Sequence, residues 1–310
     1  MRLLARMYES RLFRQARYIL GSRMPLYPRG HEYSALPSGK CLIQRITYPL
    51  SDIDINEDQQ LRLLERIGSY YDAVPFEKWH STGGYCFDNP YFSYSDAIIC
   101  YCMIRTFGPS QIIELGSGMS TACMAETIID ADITCELMTV DRHVSRLEKI
   151  YSTGGQPDFM KVYAMDIHDI PLDEFRRLGP SDILFVDSSH VSKYGSELHR
   201  LFFEVFPVLA PGVIIHFHDV FDAFEYPESW IEEGIYWNEQ YLIRAFLQGN
   251  SDYEILLFSD HMEKQYRSWY EQHMPLCLQA HERYVIGPKK GQPISEICGQ
   301  SLWLRKKAAI

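Results

Sequence analysis

From residue 111 onward, short apolar runs alternate with amphipathic stretches, a pattern that few folds accept. Residues 111–115, 137–140, 161–164, 183–186, 213–217, 253–258 and 302–305 read as strands. Residues 120–129, 143–151, 196–209 and 238–247 carry helical spacing between them. Strands separated by helices require right-handed crossovers, which place helices on both faces of a mostly parallel sheet. In such α/β sheets ligands bind beyond the carboxyl ends of the strands. The chemistry is therefore expected in the residues that follow each strand.

Those residues are distinctive. The first strand runs into Glu114-Leu115-Gly116-Ser117-Gly118-Met119-Ser120-Thr121, where two glycines allow a tight turn close to a ligand. Ser120 or Thr121 is expected to help cap the helix that follows. The third glycine of a dinucleotide fingerprint is missing. The second strand ends at Asp141, placed to accept hydrogen bonds from both hydroxyls of a ribose. The third is followed by Asp166, which suits either an adenine amino group or a helix N-cap. The fourth ends Asp187-Ser188-Ser189-His190, and the fifth ends His216-Phe217-His218-Asp219. Strand alternation puts His216 and His218 on one face, with His216 read as an interior residue and His218 nearer the mouth.

Composition excludes several classes. The 310-residue chain is 46% hydrophobic and 23% charged, as in folded globular proteins. No apolar run reaches the ~18–20 residues of a membrane span. The net charge of −11 disfavours a nucleic-acid partner. The eight cysteines are scattered, and the Cys100-x-Cys102 pair has no second pair to complete a zinc site; buried free thiols in a reducing cytoplasm are expected.

Residues 1–30 hold seven Arg against one acid, Glu9. Their helical spacing predicts an amphipathic helix packed on the acidic body or on a second subunit, with attachment to a membrane surface and a targeting role as alternatives. Residues 1–80 are read as this basic helix plus a cap or oligomerisation segment, including a short strand at 41–48 and a helix at 57–69. A homodimer in the cytoplasm is expected, peripheral to the membrane if the helix serves that role.

Taken in order, the motifs resemble those of class I S-adenosylmethionine-dependent methyltransferases. Residues 112–118 look like the first motif, Val140-Asp141 like the ribose-binding acid, and the Asp187 strand like the fourth motif. Pro211-Gly212-Val213 resembles the turn into the fifth strand. The resemblance covers residues 81–310. Gly-Ser-Gly-Met-Ser-Thr, the Phe-His-Asp ending and residues 89–96 narrow it to a bacterial subgroup that tailors glycans and natural products. It implies a Rossmann-like seven-stranded sheet with its last strand antiparallel. It also implies a cofactor set of Glu114, Gly116, Ser117, Gly118, Ser120, Asp141, Asp166 and Ile167, and a small-molecule or glycan acceptor.

Two versions of the chemistry follow. In metal-dependent relatives, acids after the fourth and fifth strands bind magnesium; Asp187 and Asp219 match them. His218 stands where a further acid is common, and imidazole suits manganese, iron or zinc better than magnesium. In the other version His190 or His218 is the base and Asp187 orients it. O-methylation leads. N- or C-methylation, a nicotinamide-dependent oxidoreductase and a non-catalytic subunit are the rivals. The 221–247 stretch, rich in aromatic and acidic residues, reads equally as an acceptor pocket or a packed lid, and its Arg244 as an anion contact or a surface salt bridge.

Overall fold

The computed structural model describes residues 34, 36, 48–79, 84–152, 154–279, 282–284, 293–295 and 299–308. The basic helix and the strand at 41–48 fall outside or almost wholly outside these residues, as do Cys41 and Cys298. The chain divides into two compact units. One contains residues 48–226 and 237–310, and holds the whole sheet. The other includes 227–236, where Glu228–Glu233 forms a short helix closed by Gly234.

Seven strands make the sheet: β1 Gln111–Leu115, β2 Glu136–Asp141, β3 Met160–Ala164, β4 Ile183–Val186, β5 Ile214–Phe217, β6 Tyr253–Phe258 and β7 Leu302–Lys306. Their spatial order is β3-β2-β1-β4-β5-β7-β6. The first five are parallel; β7 inserts antiparallel between β5 and β6. The expected mostly parallel sheet with an antiparallel last strand is what forms. A separate antiparallel ribbon pairs Glu282–Tyr284 with Pro293–Ser295.

Successive side chains of a strand face opposite sides, so each central strand feeds two cores. Ile112, Phe185, Ile214 and Trp303 enter one apolar cluster; Ile113, Leu184, Ile215 and Leu304 enter the other. The long helices of the first side are α1 Glu57–Gly68, α2 Tyr94–Phe107 and α3 Met119–Asp130. α2 packs on both others, and its run from Ala97 to Ile104 is wholly buried. Ten consecutive buried residues explain why α2 lacks a polar stripe. Asp96 is among them, an acid near the start of an apolar helix.

The helix read at 196–209 is interrupted. It begins as Glu197–Arg200, takes a π turn over Leu201–Val205 and ends as Phe206–Val208. Pro207 lacks a backbone N–H and cannot continue regular pairing. Beyond it, α4 spans Glu239–Leu247 and α5 spans Ser259–Gln265. The cysteines at 100, 102, 123, 135 and 277 are buried free thiols, and Cys86 is a half-buried one.

Candidate active site

The strand ends meet because their registers are staggered by backbone hydrogen bonds. Gly116 N–H donates to Val140 O (2.9 Å), Asp187 N–H to Leu115 O (2.9 Å) and His218 N–H to Val186 O (3.0 Å). Each functional residue therefore sits one step past the last paired residue of its strand. Gly116 takes φ +108°, and a Cβ there would overlap the carbonyl oxygen of Asp187. Only glycine lets β1 and β4 close at this point.

A cleft of about 250 Å³ opens beside these ends, with Gly116, Val140, Asp141, Asp166, Ile167 and Asp187 in its wall. Ser117 Oγ lies 2.9 Å from Asp141 Oδ2, and the other Asp141 oxygen accepts from His143 N–H at 2.8 Å. Asp166 caps the short helix Ile167–Asp169 by accepting from His168 N–H at 2.9 Å. It also pairs with Arg142. The His168 hydrogen bonds, with help from Arg142, lower its carboxyl to about 2. The N-cap reading of Asp166 is thus realised, and the residue also borders the cleft.

Glu114 and Ser120 lie behind this wall. Glu114 is fully buried and accepts from Ser120 Oγ, Thr121 Oγ1 and Thr139 Oγ1, each at 2.6 Å. Burial pushes its carboxyl up to about 7, against those three hydroxyls. Thr121 also accepts from Gly118 N–H at 2.9 Å, so it ties the glycine turn to Glu114. Glu114 and Ser120 brace the turn from inside the fold.

On its other side the cleft touches a buried cluster of acids and imidazoles. His190 Nε2 lies 3.3 Å from Asp187 Oδ1 and 3.4 Å from Asp219 Oδ2. Its Nδ1 lies 2.8 Å from Glu239 Oε2 at the start of α4. Trp237 stacks on the ring with centroids 4.4 Å apart. His218 Nδ1 lies 3.6 Å from both Asp187 Oδ1 and Asp219 Oδ2, and its Nε2 is 3.4 Å from Asp96 Oδ2. Desolvation opposes charge on both rings, yet the surrounding carboxylates win. They hold His190 up at about 10 and His218 well above the usual histidine range. Asp187 and Asp219 are both lowered, against their burial, by the two rings.

His190 and Asp219 both adopt left-handed backbone, with φ +56° and +59°. Non-glycine residues held there cost free energy and collect at functional sites. The His190 carbonyl accepts from Asn238 and Glu239 N–H, at 3.1 and 3.2 Å, which holds the loop against α4.

His216 is interior, as its place in the strand suggested: it is fully buried, stacks on Phe185 and pairs with Ser301 Oγ at 2.9 Å. In the 221–247 stretch, Phe221, Phe224 and Tyr226 are buried in the fold. Among the described residues, the Arg244 guanidinium donates to the carbonyls of Ala223 and Pro49, at 3.1 and 2.8 Å, in place of the expected surface salt bridge. Glu239 and Trp237 belong to the 221–247 stretch read as an acceptor pocket or a lid, and Asp96 closes the 89–96 motif; none was given a role of its own. The signal for Asp96 was an acid at the start of an apolar helix.

Donor atoms of Asp187, His218 and Asp219 all lie within 4.8 Å of one another, close enough to share a metal ion. The donor set fits one: four carboxylates meet two imidazoles here, so negative charge remains even with both rings protonated. A buried excess of like charge is costly unless a cation joins it.

Residues 113–220 match a family model described as a methyltransferase domain. An uncharacterized protein from Archaeoglobus fulgidus is 31% identical over 107 residues; the match covers 31% of this chain and 48% of that protein. The chain thus spans about half the length of that relative. Among solved structures, the O-methyltransferase TomG from Streptomyces achromogenes, in complex with its methyl donor, is 14% identical, with 79% of this chain and 90% of that chain covered at TM-score 0.41. An O-methyltransferase from Bacillus cereus is also 14% identical, with 83% and 95% covered at TM-score 0.41. The matched segment runs from β1 to just beyond β5, and over that stretch the chain is similar to a methyltransferase domain. Among the described residues, no helix is long and apolar enough to cross a membrane.

Proposed function

We propose that the protein is an S-adenosylmethionine-dependent O-methyltransferase acting on a hydroxyl of a small molecule or a glycan sugar. One observation carries this reading: Asp187 borders the cleft that Gly116 and Asp141 share, and also contacts His190 and His218. The cleft and an acid–imidazole cluster therefore meet at one residue.

The cleft fits the donor. Asp141 accepts from the ribose hydroxyls, the Gly116 turn lets the backbone approach, and Val140 and Ile167 give the nucleoside an apolar wall. S-adenosylmethionine, when bound, supplies an electrophilic methyl group. The chain must hold an acceptor oxygen in line with that methyl and keep water out. It must also take the hydroxyl proton. His190 Nε2 would take that proton once an ion at Asp187 and Asp219 offsets the carboxylate charge that otherwise keeps the ring protonated, with Glu239 holding Nδ1 and Trp237 fixing the ring plane. Asp187, His218 and Asp219 would hold a divalent ion, which lowers the pKa of a coordinated hydroxyl. An N- or C-nucleophile has less need of this buried acid–imidazole cluster.

A product-based assay against a panel of hydroxyl acceptors tests the proposal. Methyl transfer to oxygen is expected, lost with a chelator and restored by Mn²⁺. Transfer to nitrogen or carbon alone would overturn the O-methyl assignment, and activity indifferent to chelator would overturn the ion.

A further inference from the structure

We propose that Asp96 is a positioning residue that fixes the tautomer of His218 and so gives the cluster a preference for an imidazole-binding divalent ion, Mn²⁺ over Mg²⁺. This rests on the divalent-ion reading above.

Asp96 is 1% exposed, so each of its two carboxylate oxygens must be satisfied within the fold. Oδ1 accepts from Gln300 N–H at 2.9 Å and from Ser301 Oγ at 2.6 Å. Oδ2 faces His218 Nε2 at 3.4 Å. A carboxylate is acceptor-only, so Nε2 keeps its proton against Asp96. A divalent ion shared with Asp187 and Asp219 would displace only the proton on Nδ1. That atom faces Asp187 Oδ1 and Asp219 Oδ2. A carboxylate, an imidazole and an electron pair aimed at the donor set make a carboxylate–histidine–metal relay.

The packing leaves the ring little choice. Phe92 lies against it, with centroids 5.3 Å apart, and His216 is stacked 6.2 Å away. Asp96 is locked to the turn before β7 through Gln300 and Ser301. Mg²⁺ prefers an all-oxygen shell, whereas Mn²⁺ and its neighbours accept imidazole. A ring presented with Nδ1 unprotonated therefore shifts the preference toward Mn²⁺.

The substitution Asp96→Asn makes the idea sharp. The amide oxygen must stay toward Gln300 N–H and Ser301 Oγ, because both donate. That turns the amide NH₂ toward His218 Nε2, which must then accept. The proton moves to Nδ1, and Nδ1 is lost as a ligand. The shape of the side chain barely changes.

Mn²⁺ binding to the full chain, followed by the electron paramagnetic resonance signal of the free ion, tests this. Wild type is expected to bind Mn²⁺ with Mg²⁺ competing poorly. Asp96→Asn is expected to weaken Mn²⁺ about 10–100-fold, as for other partners of metal-bound histidine. Its melting temperature should stay near wild type. If the variant fails to fold, ¹⁵N-histidine spectra of the wild type with Zn²⁺ decide: His218 should carry its proton on Nε2, and a proton on Nδ1 overturns the proposal. Mn²⁺ binding that is lost in Asp187→Asn but intact in Asp96→Asn overturns the role of Asp96 while leaving the ion site standing. No Mn²⁺ binding by the wild type overturns both.

Discussion

His190→Asn is expected to lower the rate of methyl transfer by about 10²–10⁴-fold, the usual range for losing a positioned base. Asparagine is chosen because position 190 has φ +56°, a conformation that asparagine tolerates better than most residues. The donor cleft should be unaffected, because His190 lies behind Asp187 and not in its wall. The loss should therefore fall on kcat, with donor affinity unchanged. Glu239→Gln keeps the volume but removes the carboxylate at 2.8 Å from Nδ1, and should move kcat in the same direction. Steady-state kinetics on both variants checks this. A His190→Asn enzyme within a few-fold of wild type would remove the ring from the chemistry.

Gly116→Ala should be the most damaging small substitution in the fold. Alanine at φ +108° is strained, and its Cβ would overlap the Asp187 carbonyl, which is backbone and cannot rotate aside. β1 and β4 would have to separate where Asp187 N–H bonds Leu115 O. We expect a stability loss of about 3–5 kcal/mol, at the top of the range for one substitution. Urea unfolding should show it as a lower midpoint with no change in slope. A loss under about 1 kcal/mol would mean that the strand ends are looser than their hydrogen bonds imply.

The legibility of this molecule follows its chemistry. β1, β4 and β6 were readable residue for residue because each is a short, largely buried apolar run between turn signals. The acids and histidines after β4 and β5 were readable because strand ends face the ligand side. Asp166 was ambiguous for a physical reason: one carboxylate both caps a helix and borders the cleft. The contacts of Asp96 and Glu239 with the histidines were not legible. The two acids reach the cluster from α2 and α4, 122 and 49 positions from the histidines they touch, and local spacing carries no trace of such contacts. The break at Leu201–Val205 was hidden by an apolar pattern that a regular helix would also show. The glycine turn was visible, but not the division of labour inside it, in which Glu114 and Ser120 brace the turn while Gly116 and Asp141 face the cleft.

If Asp141, the acid after β2, holds S-adenosylmethionine in this cleft, calorimetric titration of S-adenosylhomocysteine, the demethylated donor, into the full chain should show saturable binding to the wild type and no heat with NAD. In Asp141→Ala the affinity should weaken by about 1–3 kcal/mol, the range for losing hydrogen bonds to a charged group. Equal affinity in wild type and Asp141→Ala, or binding of NAD in place of S-adenosylhomocysteine, would contradict this assignment.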